Sequence, residues 1–248
     1  MAFAHGSKAV IYLMGMNASP YLNDISMSGS VETAEVTVFG NTGKSYIPGI
    51  QDGTLHLSGF FDGNIPLDTN TFSYMANSYA LGPSQAQPCS IYLPQGDGNG
   101  VVGYGFQGVV DKDTIKTPVN AAGTVEVNLT SSSGWEGGFV TAPLAARSAA
   151  SGTTVVIDNL VASSNGCSAL MVTTAVAGTA GPTMTLTIQH SVDNVTYVPL
   201  MTFAAQTAIG DQRISIPAGT TVNRYIRGSW AITGTGPSFT FATLVSRK

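Results

Sequence analysis

Between Val31 and Phe39 the chain alternates with a two-residue period, and neither of the two resulting faces is apolar. Glu32, Ala34, Val36 and Val38 share one face, and Val31, Thr33, Glu35, Thr37 and Phe39 share the other. Successive side chains of a β-strand point to opposite faces, so this period predicts a strand with polar groups on both sides. A stretch of turn formers follows, with Gly40, Asn41, Gly43, Pro48, Gly49, Asp52 and Gly53. Thr54 to Phe61 resumes the alternation, with Leu55, Leu57 and Phe61 on one side. A hairpin-like unit with two mixed faces gains its burial from neighbouring copies of itself. It points to assembly rather than to chemistry.

Composition leads the same way. Only 10% of the 248 residues are charged, against roughly 25% in ordinary soluble domains. Lys, Glu and Arg, which fill exposed helix faces, are scarce, whereas Gly stands at 29. The expectation is an all-β chain rich in turns, with much of its surface covered in an oligomer.

Charge is unevenly divided. Residues 1–148 carry five basic and eleven acidic side chains, a balance of −6, and residues 149–248 carry five and three, a balance of +2. An acidic first part argues against binding of nucleic acid by phosphate neutralisation, which needs a basic patch. A passage that nucleic acid must traverse without sticking is compatible with it.

Cys89 and Cys167 lie far apart with no CxxC or Cys/His cluster, so two buried free thiols in a reducing compartment are expected, a single long-range disulfide being the alternative, and no metal site or other cofactor. Ala9 to Met16 is too short an apolar run to span a membrane and lacks a signal-peptide layout. A soluble chain without membrane contact is expected.

Along the chain, Val10 to Met14 reads as a strand ended by Gly15. Asp68-Thr69-Asn70 offers N-caps to one helix, with Phe72, Met75, Ala76 and Tyr79 at helical spacing and Gly82-Pro83 as its stop. Ser90 to Pro94, Val101 to Val110 and Gly123 to Leu129 complete a first domain, residues 1–140. Residues 141–152, TAPLAARSAASG, read as a linker. Beyond it, residues 153–248 hold about seven short strands between turns, the pattern of a second β-sandwich that folds alone. Met184, Leu186 and Ile188 form one core face there, as do Ile226, Trp230 and Ile232.

No motif supports catalysis. Gly103-Tyr104-Gly105-Phe106-Gln107-Gly108 fits the GxGxxG pattern, yet Val109-Val110 continues a strand where dinucleotide binding needs a helix. Asp111-Lys112-Asp113 reads as a polar turn without further oxygen ligands. His5, His56 and His190 are scattered and lack any nucleophile or metal context. Trp135 and Trp230 with Tyr197 and Tyr225 offer a sugar-stacking platform, although both tryptophans also suit a core.

The run Thr33-Ala34-Glu35-Val36-Thr37-Val38-Phe39-Gly40, then Tyr46-Ile47-Pro48-Gly49 with Asp52-Gly53, and Leu57-Ser58-Gly59-Phe60-Phe61-Asp62-Gly63, resembles the major tail (tail tube) proteins of long-tailed bacteriophages. The likeness extends through His5-Gly6-Ser7-Lys8 and covers residues 1 to about 140. It implies a β-barrel or sandwich with one flanking helix, Phe72 to Tyr79, assembled as hexameric rings that stack into a tube. It also implies that the hairpin joins neighbouring subunits, through Val31, Glu35, Phe39, Tyr46, Ile47, Asp52, Leu57 and Phe61. The phrase Thr187 to Asn194 looks like accessory Ig-like β-sandwich domains of phage virion proteins, which decorate an outer surface. The expected partners are the chain itself, other phage tail proteins and DNA as non-specific cargo, in a virion assembled in the host cytoplasm. Two other roles fit the same residues: a capsid decoration protein, and an adhesin that binds host surface glycans through the second domain.

Overall fold

In a computed structural model of the chain, residues 6–38, 42–60 and 87–248 are described. Thirteen strands account for nearly all regular structure there, and the helical content is two 3-10 turns, Gly6–Lys8 and Ser19–Tyr21. The protein is all-β, as the composition requires. The helix expected at Phe72 to Tyr79 lies outside the described residues.

The chain divides into two compact units that interleave in sequence. One comprises Met1–Pro20, Pro88–Phe106 and Glu136–Lys248; the other comprises Tyr21–Gln87 and Gln107–Trp135. This differs from the expected boundary at 141–152. Residues 141–147, read as linker, continue strand β7 (Thr124–Arg147) and pair with β13 (Tyr225–Arg247) through Phe241↔Ala145 and Thr240↔Ala146.

The first unit is built on two long strands, β10 (Cys167–Ser191) and β13, paired antiparallel from Cys167↔Arg247 to Ser191↔Tyr225. Sequence alone divides each of them into two short strands. They are continuous, and each bends at a glycine-rich corner. Gly178, Ala180 and Gly181 in one, and Gly234 and Gly236 in the other, all have positive φ, with register shifts alongside. Gly178 at φ 123° lies where side chains are rarely tolerated, and a Cβ there would sit 2.9 Å from Pro237 Cα. The corner folds the ribbon back on itself, so its two halves pack face to face. Trp230 and Phe241 lie on the same strand, which would separate them by about 36 Å if straight. Their ring centroids are 6.3 Å apart at 75°.

Between the layers lies a core that includes Met171, Met184, Leu186, Ile188, Phe203, Ile226, Phe239 and Phe241. One layer adds β11 (Val198–Thr202), β8 (Ser151–Thr153) and β9 (Ile157–Asp158); the other adds β12 (Gly210–Ile216) and the end of β7. The second layer is buried on both sides. Ala169, Met171, Phe241 and Val245 face the first core, while Leu170, Val172, Ala242 and Leu244 face a second core with Tyr12, Ile91, Leu93 and Val140. Burial on both faces explains why Ala169 to Val172 is continuously apolar instead of alternating.

The second core is closed by β1 (Val10–Leu13), its short hairpin partner β2 (Met16–Asn17), β5 (Cys89–Leu93) and the start of β6 (Val102–Lys116). Gly103 and Gly105 let β6 approach closely: a Cβ on Gly103 would collide with Leu93, and one on Gly105 would lie 2.6 Å from Leu170. The GxGxxG pattern is therefore a packing device inside a strand. Cys89 and Cys167 are buried free thiols. Burial raises both, Cys167 to about 12.

The other unit contains β3 (Leu22–Glu35), β4 (Tyr46–Phe60) and the remaining parts of β6 and β7. β4 pairs with β7 from Thr54↔Thr130 to Phe60↔Thr124, and β3 pairs with β4 along its length. Leu55, Leu57, Val125, Val127 and Leu129 are fully buried. The opposite face is polar and tied by side chains: Ser28 to Thr54 at 2.7 Å, His56 Nδ1 to Asn128 Oδ1 at 2.6 Å. Asp111 to Asp113, read as a turn, belongs to β6, where Asp111 accepts from Thr130 Oγ1.

Candidate assembly surface on the long hairpin

Sequence alone splits residues 31–61 into strand, broad loop and strand. The structure draws a tighter hairpin. Gln51, Asp52 and Gly53 are within β4, opposite Val31, Ser30 and Gly29, and the strands close only at Glu35↔Tyr46. Turn-prone residues are tolerated here because β4 has a single partner along this stretch among the described residues.

The hairpin changes character at Thr54. Below it, β4 is held by β7. At Ser131 the latter turns away: Gly134 has φ +74°, and its N–H donates to Ser131 Oγ. Trp135 follows and braces the base of the hairpin. Its Nε1–H donates to the Ser28 carbonyl at 3.0 Å, and a Cβ on Gly29 or Gly53 would lie 2.8 Å from the indole. Beyond this brace, residues 29–35 and 46–53 pair only with each other among the described residues.

The resulting arm exposes large apolar side chains: Val31 (44%), Tyr46 (52%), Ile47 (55%) and Val38 (65%). Towards its end the described residues are tied by polar contacts. Lys44 Nζ meets Glu35 Oε2 at 3.0 Å, Thr37 Oγ1 donates to Glu35 Oε1 at 2.9 Å, and Val36 N donates to Ser45 O at 2.8 Å. An exposed ion pair of this kind adds little stability, so the clasp fixes shape more than it adds energy.

Of the expected inter-subunit residues, Val31, Glu35, Tyr46, Ile47 and Asp52 come together on the exposed arm. Leu57 does not. It is fully buried opposite Ile25 and Val127, so it is a core residue of the unit. Phe39 and Phe61 lie outside the described residues. Sequence reasoning missed Trp135 as the brace, since its contact with Ser28 joins strands distant in sequence. The only local signal was Gly29 and Gly53, flat positions that an aromatic ring can cover.

Other constellations are accounted for by packing. Among the described residues no three His, Cys, Asp or Glu side chains group to hold a metal ion. The rings proposed as a sugar platform are covered: the guanidinium of Arg147 lies over Trp230 at 5.4 Å, Arg227 over Tyr197 at 3.7 Å and Arg224 over Tyr225 at 4.8 Å. Two openings of about 300 and 260 Å³ flank the first unit's strands. Arg147, which lines the smaller one, already donates to the carbonyls of Pro143, Ala145 and Phe241. Among the described residues, the ion pair with least access to water joins Arg213 and Glu136 in two-point contact, with Lys248 at 3.8 Å from Glu136.

No protein-family model matches the chain, and no curated protein does. Several solved structures share part of its trace. A chain from the virion of a native gene transfer agent particle is 13% identical, covers 54% of this chain and 97% of its own, with a TM-score of 0.44. The cap that terminates the tube of the anti-feeding prophage is 11% identical over 56% and 93%, with a TM-score of 0.44. The SPP1 Dit protein, a hub adsorption apparatus component of phages that infect Gram-positive hosts, is 11% identical over 96% and 99%, with a TM-score of 0.37.

Proposed function

We propose that this chain is a structural subunit of a phage virion, specifically of the tail tube, assembled as stacked hexameric rings around a DNA passage. The observation that carries this reading is the arm. Two strands paired only with each other are marginal in water, and the strand edges left unpaired among the described residues, beside exposed Val31, Tyr46 and Ile47, are suited to a neighbour that covers them. A ring in which each arm lies on the next copy closes without leaving an edge bare. Of the residues that carry the resemblance to tail tube proteins, Thr33 to Glu35, Tyr46 to Gly49, Asp52 and Gly53 belong to this arm.

The remaining parts of the reading follow from charge. The −6 balance of residues 1–148 makes the wall repel phosphates over about 8 Å at physiological salt. DNA then passes as cargo without being gripped. Partners at the two ends of the tube are other tail proteins, and the finished protein resides in the virion. An adhesin built on stacking aromatics finds less support, because Trp230, Tyr197 and Tyr225 each carry an arginine.

Imaging of the purified protein at high concentration, with and without tail-initiating components, tests the proposal. Rings or tubes are expected. Persistent monomers in both conditions overturn it, and binding to capsids without tube formation assigns a decoration role instead.

A further inference from the structure

The chain holds two Asn-Gly steps, Asn99-Gly100 and Asn165-Gly166, and the fold treats them differently. In such a step the glycine nitrogen can attack the asparagine side-chain carbonyl, since a residue without Cβ leaves the approach open. At Asn99 that nitrogen is engaged. Gly100 N donates to Val140 O at 2.8 Å, inside a turn also held by Val140 N to Val101 O at 2.9 Å.

At Asn165 it is free. The Gly166 N–H donates to no atom among the described residues, and the exposed Asn165 carboxamide is bonded to none. The flanking carbonyls are fixed instead, Ser164 O by Gly219 N at 2.7 Å and Gly166 O by Lys248 N at 3.1 Å. Gly166 is itself buried, with φ +90°, and a Cβ there would meet Ile216 O at 2.6 Å. No shielding side chain can therefore occupy this position.

We propose that Asn165 is a site of spontaneous deamidation in the folded protein, and that Asn99 is protected. The Gly166 nitrogen bonds to Asn165 Cγ, the Cγ–Nδ2 bond breaks, and ammonia leaves with the amide proton. Water then opens one of the two C–N bonds of the five-membered imide, giving aspartate or isoaspartate. No oxidant or metal takes part. The product places a carboxylate, and in the iso form an additional backbone carbon, just before the fully buried Cys167. This is where β10 enters the layer buried on both faces.

The test holds the folded protein at physiological temperature and mildly alkaline pH, then maps peptides by mass spectrometry with enzymatic isoaspartate methylation as a second readout. Deamidation is expected at Asn165, and slower at Asn99 by about fivefold, the factor that one net amide hydrogen bond is worth. In denaturant both steps should react at similar rates, and Asn165→Gln should remove the folded-state signal. An unmodified Asn165 in the folded protein, or equal rates at the two steps, overturns the proposal.

Discussion

Gly29 and Gly53 face each other across the hairpin, and the Trp135 indole fills the space that their side chains would take. The brace thus depends on two residues chosen for what they lack. It marks the point at which the sheet of the second unit ends and the free arm begins.

Gly53→Val should displace the indole and break its hydrogen bond to Ser28. Overpacking of this kind costs about 1–3 kcal/mol. Trp135→Phe, which keeps a ring and loses only the N–H donor, should cost about 1 kcal/mol. Denaturant unfolding reads both, and a Gly53→Val protein as stable as the parent would show that the indole does not brace the arm.

The double variant Tyr46→Lys, Ile47→Lys should leave monomer stability within about 0.5 kcal/mol, because both side chains are exposed. It should abolish rings and tubes in images and in sedimentation. Normal assembly would remove the arm from the subunit interface.

Glu136 and Arg213 form a pair with little access to water. Glu136→Ala strands the guanidinium and should cost about 3–5 kcal/mol, whereas replacing both residues by leucine should cost less than the single change. Thermal unfolding of Glu136→Ala, Arg213→Ala and the double leucine variant decides. Additive losses would mean that the two groups do not act as a pair.

Two aspartates act on pH stability with opposite signs. The Arg224 guanidinium holds Asp158 down at about 2, so its stabilising contribution is present above the unfolded carboxylate range and is lost as pH falls towards 2. Burial raises Asp211, so its contribution is full below the unfolded value near 4 and is lost as pH rises through its folded value. Asp211→Asn keeps an oxygen for the Cys89 N–H. It should stabilise the protein at neutral pH, with a gain that fades towards pH 4, as read by unfolding at a series of pH values. A gain that grows on acidification would refute the assignment.

Neither fragment 1–148 nor 149–248 should form the first unit on its own. The first lacks β10 and β13, which complete the core around Tyr12, Ile91 and Leu93; the second leaves Leu170, Val172 and Leu244 bare. Loss of the first unit's cooperative unfolding is expected in both fragments. A sharp thermal transition in 149–248 would restore the independent second domain.

That last prediction marks how much was legible. Strand content and the hairpin were written in the two-residue period, and Met184, Leu186 and Ile188 were recognisable as one core face. The domain boundary was not. Small residues at 141–147 resemble a linker, yet they pair in register with β13, and Ala142 is buried in the core between the layers. The bends at Gly178 and Gly234 look like chain reversals between short strands, since a bent strand and a turn both need glycine. The arm's exposed residues were found because alternation with no apolar face is a local property. Its brace depends on pairing between residues 28 and 135, which no local pattern encodes.

The layer buried on both sides also sets a schedule. β1 ends at Leu13, and β13, which helps to close the core around it, begins only at Tyr225. At ribosomal speed the two are made about 10–40 s apart. Throughout that interval Tyr12 has no finished core to enter, because Ala242 and Leu244 of β13 form part of it, so the emerging chain carries an unsatisfied aromatic side chain almost to the end of its synthesis. Folding of the first unit is thereby a late, all-or-none event, and any delay in translating β13 prolongs the period in which the chain is exposed to misassembly.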